Sequence, residues 1–82
     1  MFRAPAFYSI KEFAAMMNLN EGYARNGARA EFPDSVDTNR ARLPDGYSAI
    51  KWAGVCVIYD VDDEPAIYRM FNVDPNTKRS IE

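Results

Sequence analysis

Ser9-Ile10-Lys11-Glu12 is a complete helix start, and no other short stretch commits its neighbours to a conformation as firmly. In an S-x-x-E box the serine hydroxyl accepts from the backbone N–H three residues on, and the glutamate carboxylate reaches back to the serine N–H. Tyr8, just before the cap, is placed to staple onto Phe13. Ile10, Phe13, Ala14 and Met17 follow at i, i+3, i+4 and i+7, so one face of the helix is apolar. Asn18 breaks the pattern and Leu19 is an apolar plug for a turn. Asn20 is a good cap for a second helix, and Glu21 sits in its first turn, where the helix dipole favours an acid.

The second helix is expected from about Glu21 to Ala30. Glu21, Arg25 and Arg29 share a face at i, i+4 and i+8, with Asn26 beside them, while Ala24 and Ala28 are small enough to face the first helix. Gly22 and Gly27 weaken it, each by about 1 kcal/mol relative to alanine. Phe32-Pro33 ends it, because proline disfavours a helical residue before it. Two helices, a tight polar turn and paired arginines on the second make the outline of a helix-turn-helix, whose second helix lies in the DNA major groove. The same outline occurs in proteins that bind only themselves.

Eighty-two residues suffice for one domain with a small core, and 48% hydrophobic residues exclude a chain disordered by composition. No apolar run reaches transmembrane length and the N-terminus lacks the apolar core of a signal peptide, so a cytoplasmic protein without a membrane partner is expected. One cysteine and no histidine rule out an internal disulfide and any Ser-His or Cys-His nucleophile, and leave a Cys/His zinc site very unfavourable. Cys56, inside Val55-Cys56-Val57-Ile58, reads as a buried inert side chain. The run Asp60, Asp62, Asp63, Glu64 lacks the glycine and distant glutamate of a calcium loop and reads as a helix start. The expectation is a binding protein that is not an enzyme and uses no cofactor or metal.

The formal charge of −2 argues against simple nonspecific nucleic-acid binding. Its distribution is uneven: residues 1–59 carry seven basic against six acidic side chains, and residues 60–82 carry three against six. A local arginine patch is therefore possible in the first two thirds, but a strongly electropositive surface is not.

Asp34 to Asn39 reads as a polar loop. Pro44-Asp45-Gly46 is a turn signal, and Tyr47–Trp52 and Val55–Tyr59 are rich in strand formers. The pattern predicts a β-hairpin with its tip near Pro44–Gly46, leaving open whether Ala53-Gly54 is a turn or a bulge. A helix over Ser48–Val55 is the lesser alternative. Trp52 is expected in the core and Lys51 pointing out. A third helix begins at the acidic run, with Pro65 in its first turn and Ala66, Ile67, Met70 and Phe71 as its apolar stripe, and ends at Asp74-Pro75-Asn76. Residues 76–82 are expected as a frayed tail behind a single domain over residues 1–75. The fold class is α+β, in the order helix, helix, hairpin, helix that suits a small winged helix-turn-helix.

Tyr8-Ser9-Ile10-Lys11-Glu12-Phe13-Ala14, then Met17-Asn18-Leu19-Asn20, closing on Glu31-Phe32-Pro33, resembles the start of MerR-like and excisionase-type winged-helix domains, including the Cox-type proteins of temperate phages. The likeness covers residues 8–33 and extends to the hairpin only by layout. Where such domains commonly carry glycine after the second helix, this chain has Ala30-Glu31. The resemblance implies a small architectural DNA-binding protein that binds repeated sites cooperatively, acting as excisionase or repressor. It implies double-stranded DNA as partner, self-association as a dimer or array, and an integrase or host protein as further partner. Carried over by position, the recognition helix supplies Glu21, Tyr23, Arg25, Asn26 and Arg29, and the wing supplies Arg40 and Arg42. Lys51 is a further candidate for a phosphate. The second reading is a small acidic protein-interaction module on the same fold, such as an inhibitor or adaptor of a host protein.

Overall fold

The helix start at Ser9 forms as its residues dictate. In the structure, a computed structural model that describes residues 4–33 and 40–81, the Ser9 Oγ accepts from Glu12 N at 3.1 Å and Glu12 Oε1 accepts from Ser9 N at 2.9 Å. These bonds hold the Glu12 carboxyl below its usual range. The staple is present too, with the Tyr8 and Phe13 rings 6.1 Å apart. Helix α1 (Ile10–Met17) ends on Asn18 in the left-handed conformation, and Asn20 caps helix α2 (Glu21–Arg29) by accepting from Tyr23 N at 3.2 Å. The loop expected over Asp34–Asn39 lies outside the described residues.

The hairpin differs from the expectation. Strands β2 (Tyr47–Trp52) and β3 (Val55–Asp60) pair antiparallel from Tyr47↔Asp60 to Trp52↔Val55, so the tip is Ala53-Gly54 and not Pro44–Gly46. Both tip residues have positive φ, 50° and 80°, which is the type I′ geometry that matches the twist of the flanking strands. Pro44–Gly46 is the turn that leads into β2, and Gly46 O accepts from Val61 N at 2.9 Å at the base of the hairpin. Trp52, expected in the core, is 46% exposed because it closes the tip.

The hairpin is the middle of a five-stranded sheet in the order β1-β3-β2-β5-β4. Strand β1 (Phe7–Tyr8) flanks β3. After a 3₁₀ turn (Val61–Asp63) and helix α3 (Glu64–Phe71), the chain makes β4 (Val73–Asp74) and β5 (Arg79–Ser80). β5 lies parallel to β2 at Lys51↔Arg79 and antiparallel to β4. Two expectations are thereby corrected. Helix α3 stops at Asn72, again left-handed, rather than at Asp74-Pro75-Asn76. Residues 76–81 are not a frayed tail but carry β5, the strand between β2 and β4, joined to β2 by Lys51 N→Lys78 O at 2.9 Å.

Both faces of the sheet are used. Phe13, Ala14, Ala24, Ala28, Ala49 and Ile58 form one buried cluster beneath α1 and α2. Ile50, Val57, Tyr59, Ile67 and Val73 form the other beneath α3. Ala24 and Ala28 face α1 as expected. Gly27 is explained by close approach, since a Cβ there would lie 3.0 Å from both Arg42 C and Leu43 N. The chain leading into β2 therefore runs against the helix backbone.

Two stability changes follow. Gly27→Ala gains about 1 kcal/mol of helix propensity but forces two backbone atoms aside, an overpacking cost of about 1–3 kcal/mol. The net expectation is destabilisation, read as a lower midpoint in urea. Ala53→Asn acts the other way, because asparagine tolerates the left-handed conformation that costs alanine about 1–2 kcal/mol. A gain of about 0.5–1 kcal/mol with an unchanged fold is expected in the same titration.

Candidate nucleic-acid interface

The outer face of α2 is set by what its inner face must do. Ala24, Gly27 and Ala28 are buried against α1 and the sheet, so the 3.6-residue period turns Glu21, Tyr23, Arg25 and Arg29 to solvent, with Asn26 partly covered. The helix thus brings five of the eight expected residues together. Arg25 Nη2 is 3.1 Å from Glu21 Oε1, an exposed i,i+4 pair, and such pairs contribute only about 0.3–0.5 kcal/mol. Arg29 is exposed, and its side chain makes no hydrogen bond or ion pair among the described residues. Tyr23 is 45% exposed.

Arg40 and Arg42 are not at a hairpin tip. Both are exposed, and Arg42, whose backbone packs against Gly27, flanks α2 itself. Arg42 Nη1 also donates to Ala41 O at 2.7 Å. Lys51 is half-buried in β2, one residue before the Trp52 end of the strand, and stands apart from the α2 group. The structure therefore gathers six of the eight expected residues around one helix.

A polar bracket that sequence reasoning missed governs the charge near this face. Glu31, just past α2, turns inward: Ser48 Oγ donates to its Oε1 at 2.8 Å, and Lys78 Nζ lies 3.7 Å from the same oxygen. Lys78 also donates to Ser48. On the same side of the hairpin Tyr59, fully buried, donates its hydroxyl proton to Glu64 Oε2 at 2.6 Å. Arg79 lies over the Phe32 ring with its guanidinium carbon 5.4 Å from the centroid. Partners 17 and 30 residues apart in the chain leave no local signal. The acidic run is similarly employed. Asp60 accepts from Asp62 N at 2.9 Å, Asp63 accepts from Ala6 N at 3.2 Å, and Glu64 accepts from the Tyr59 hydroxyl. Among the described residues no group of three or more acidic or cysteine side chains is arranged to hold a metal, no pocket is found, and no helix is long and apolar enough to cross a membrane.

No family model, curated protein or solved structure matches the chain.

Burial, and then the bond to Glu64, push the Tyr59 hydroxyl well above the ordinary tyrosine range. Burial raises Tyr68 in the same sense, its ring 6.3 Å away. The folded protein holds these protons more tightly than the unfolded chain does. Their contribution is thus fully present below pH ~10 and is lost as pH rises beyond the unfolded value. Melting temperatures measured from neutral to strongly alkaline pH should fall on that limb, and Tyr59→Phe should flatten it.

Proposed function

We propose that this protein is a small sequence-specific DNA-binding regulator of phage or prophage type, in which α2 enters the major groove. The single observation that carries the reading is the solvent face of α2. Arg25, Asn26 and Arg29 stand on a rigid, doubly capped helix pair, and Arg42 lies alongside the same helix. Arginine presents a planar fork suited to guanine edges, and asparagine one suited to adenine. Glu31, the acid nearest the end of α2, is drawn away toward Ser48 and Lys78. Local charge at the arginine face is therefore more favourable than the overall −2 suggests. The resemblance of residues 8–33 to excisionase-type domains supports the same reading and extends it to winged-helix architecture, with excision or repression as the task. The element serving as wing would be the Ala53-Gly54 tip, beside Lys51, rather than residues 40–46.

A protein-binding role has an observation of its own. Phe7, Trp52, Val55 and Met70 are 46%, 46%, 53% and 48% exposed, with Phe71 bridging Phe7 and Trp52 at ring-centroid distances of 5.3 and 5.4 Å. Exposed aromatic clusters of this kind mark protein interfaces, and this one lies on the α3 side of the sheet, away from α2.

Selection of duplexes from a random pool, followed by anisotropy titrations at two salt concentrations, tests the DNA reading. Enrichment of a defined motif is expected. Arg29→Ala should cost about 1–3 kcal/mol on that motif and relax specificity there. Arg42→Ala should weaken all sequences alike and reduce the salt slope by about 1. Absence of binding at low salt overturns the reading and leaves the aromatic surface as the functional one.

A further inference from the structure

The chain leaving α2 is met at two successive points by the residues that open β5. Glu31 and Phe32 follow the helix, and their N–H groups donate to Ala28 O and Arg29 O at 3.1 and 3.2 Å. Lys78 Nζ lies 3.7 Å from Glu31 Oε1, and the Arg79 guanidinium lies over the Phe32 ring. Lys78 is held by its own backbone. Its N–H donates to Asp74 O at 2.7 Å, and its carbonyl accepts from Lys51 N at 2.9 Å. Its φ of 60° is a left-handed conformation, which a residue with a Cβ keeps only where its surroundings hold it there. The buried Ser48 hydroxyl completes the group, accepting from Lys78 and donating to Glu31 Oε1 at 2.8 Å. The Lys78 and Glu31 side chains are 14% and 29% exposed, so this pair is screened less than a surface pair.

We infer that Lys78 is a positioning residue for the α2 surface: it holds the Glu31 carboxylate inward, and the C-terminal strand pair thereby sets how strongly the helix binds nucleic acid. This inference rests on the DNA reading of α2. Without the ammonium group, Glu31 is an uncompensated charge beside a buried hydroxyl, and an unpaired carboxylate is more stable in water than there. Turning outward brings it toward Arg29. The two Cα atoms are separated by two virtual bonds, hence by no more than about 7.6 Å. That lies within a Debye length of about 8 Å at physiological salt. A carboxylate so close repels the phosphates that the arginine face is to meet. Lys78 itself needs no contact with DNA, because it acts through Glu31.

The test titrates the full chain by anisotropy against its selected motif and against a scrambled duplex of equal length. Lys78→Met should weaken both duplexes by roughly five- to tenfold, the effect of one unpaired charge about 7 Å away at an effective dielectric near 20 after screening. Glu31→Gln alone should bind at least as tightly as wild type. Lys78→Met/Glu31→Gln should recover to within about twofold of wild type. Lys78→Met/Asp62→Asn has the same net charge as that double variant but leaves Glu31 ionised, and Asp62 is exposed ahead of α3. It should stay as weak as Lys78→Met. Both double variants carry the same lesion in the clasp, so loosening of β5 does not separate them. Equal binding by the two overturns the inference: if both are weak, Lys78 is a packing residue, and if both recover, net charge is the cause. A Lys78→Met chain that binds as wild type does overturns it too. A wild type that binds no duplex at low salt is a separate failure, which removes the DNA reading and this inference with it before any variant is made.

Discussion

The register of β2 on β3 is the constraint on which the other elements depend. Side chains alternate along both strands, so Ala49 and Ile58 serve α1 and α2 while Ile50, Val57 and Tyr59 serve α3. A slip of one residue would exchange the two sets and put Ser48 and Tyr59 beneath alanine-lined helices that offer them no partner. The Ala53-Gly54 turn sets the register at one end and the bond from Val61 N to Gly46 O sets it at the other. The packing distances then follow. Ala24, Gly27 and Ala28 give α2 a flat inner face, so the helix can settle close to the sheet and the Arg42–Leu43 backbone can pass at contact distance.

The polar bracket on the β2–β5 side converts this packing into an electrostatic arrangement. Ser48, the one buried polar residue among the described residues, is satisfied by Glu31 and Lys78 together, as a buried hydroxyl must be. Lys78 holds this position from a left-handed backbone conformation, φ 60°, a strain that its bonds to Ser48 and Glu31 offset. The C-terminal hairpin is thereby tied to the segment that leaves α2. One consequence is structural, since residues 76–81 become part of the sheet. The other concerns charge, since the acid that follows the arginine-bearing helix is neutralised by a lysine instead of opposing Arg29.

What was legible in the sequence is what local rules determine. The capping box, the staple and the Asn20 cap rest on partners within five residues, the inward alanines rest on the helical period, and each appears where its spacing put it. The hairpin strands were legible from composition, but the tip was not. Pro44-Asp45-Gly46 is the stronger turn signal by residue type, whereas Ala53-Gly54 requires an alanine in a conformation alanine disfavours, and only the pairing of twelve strand residues outweighs that cost. Trp52 was misplaced for the same reason, because a residue at a hairpin tip is exposed whatever its hydrophobicity. The C-terminal strands carried no pattern at all, since two-residue strands cannot show alternation and their stability comes from partners far back in the chain. For the candidate site, the α2 residues followed from helical period. The place of Arg42 beside α2 followed only from knowing what Gly27 touches.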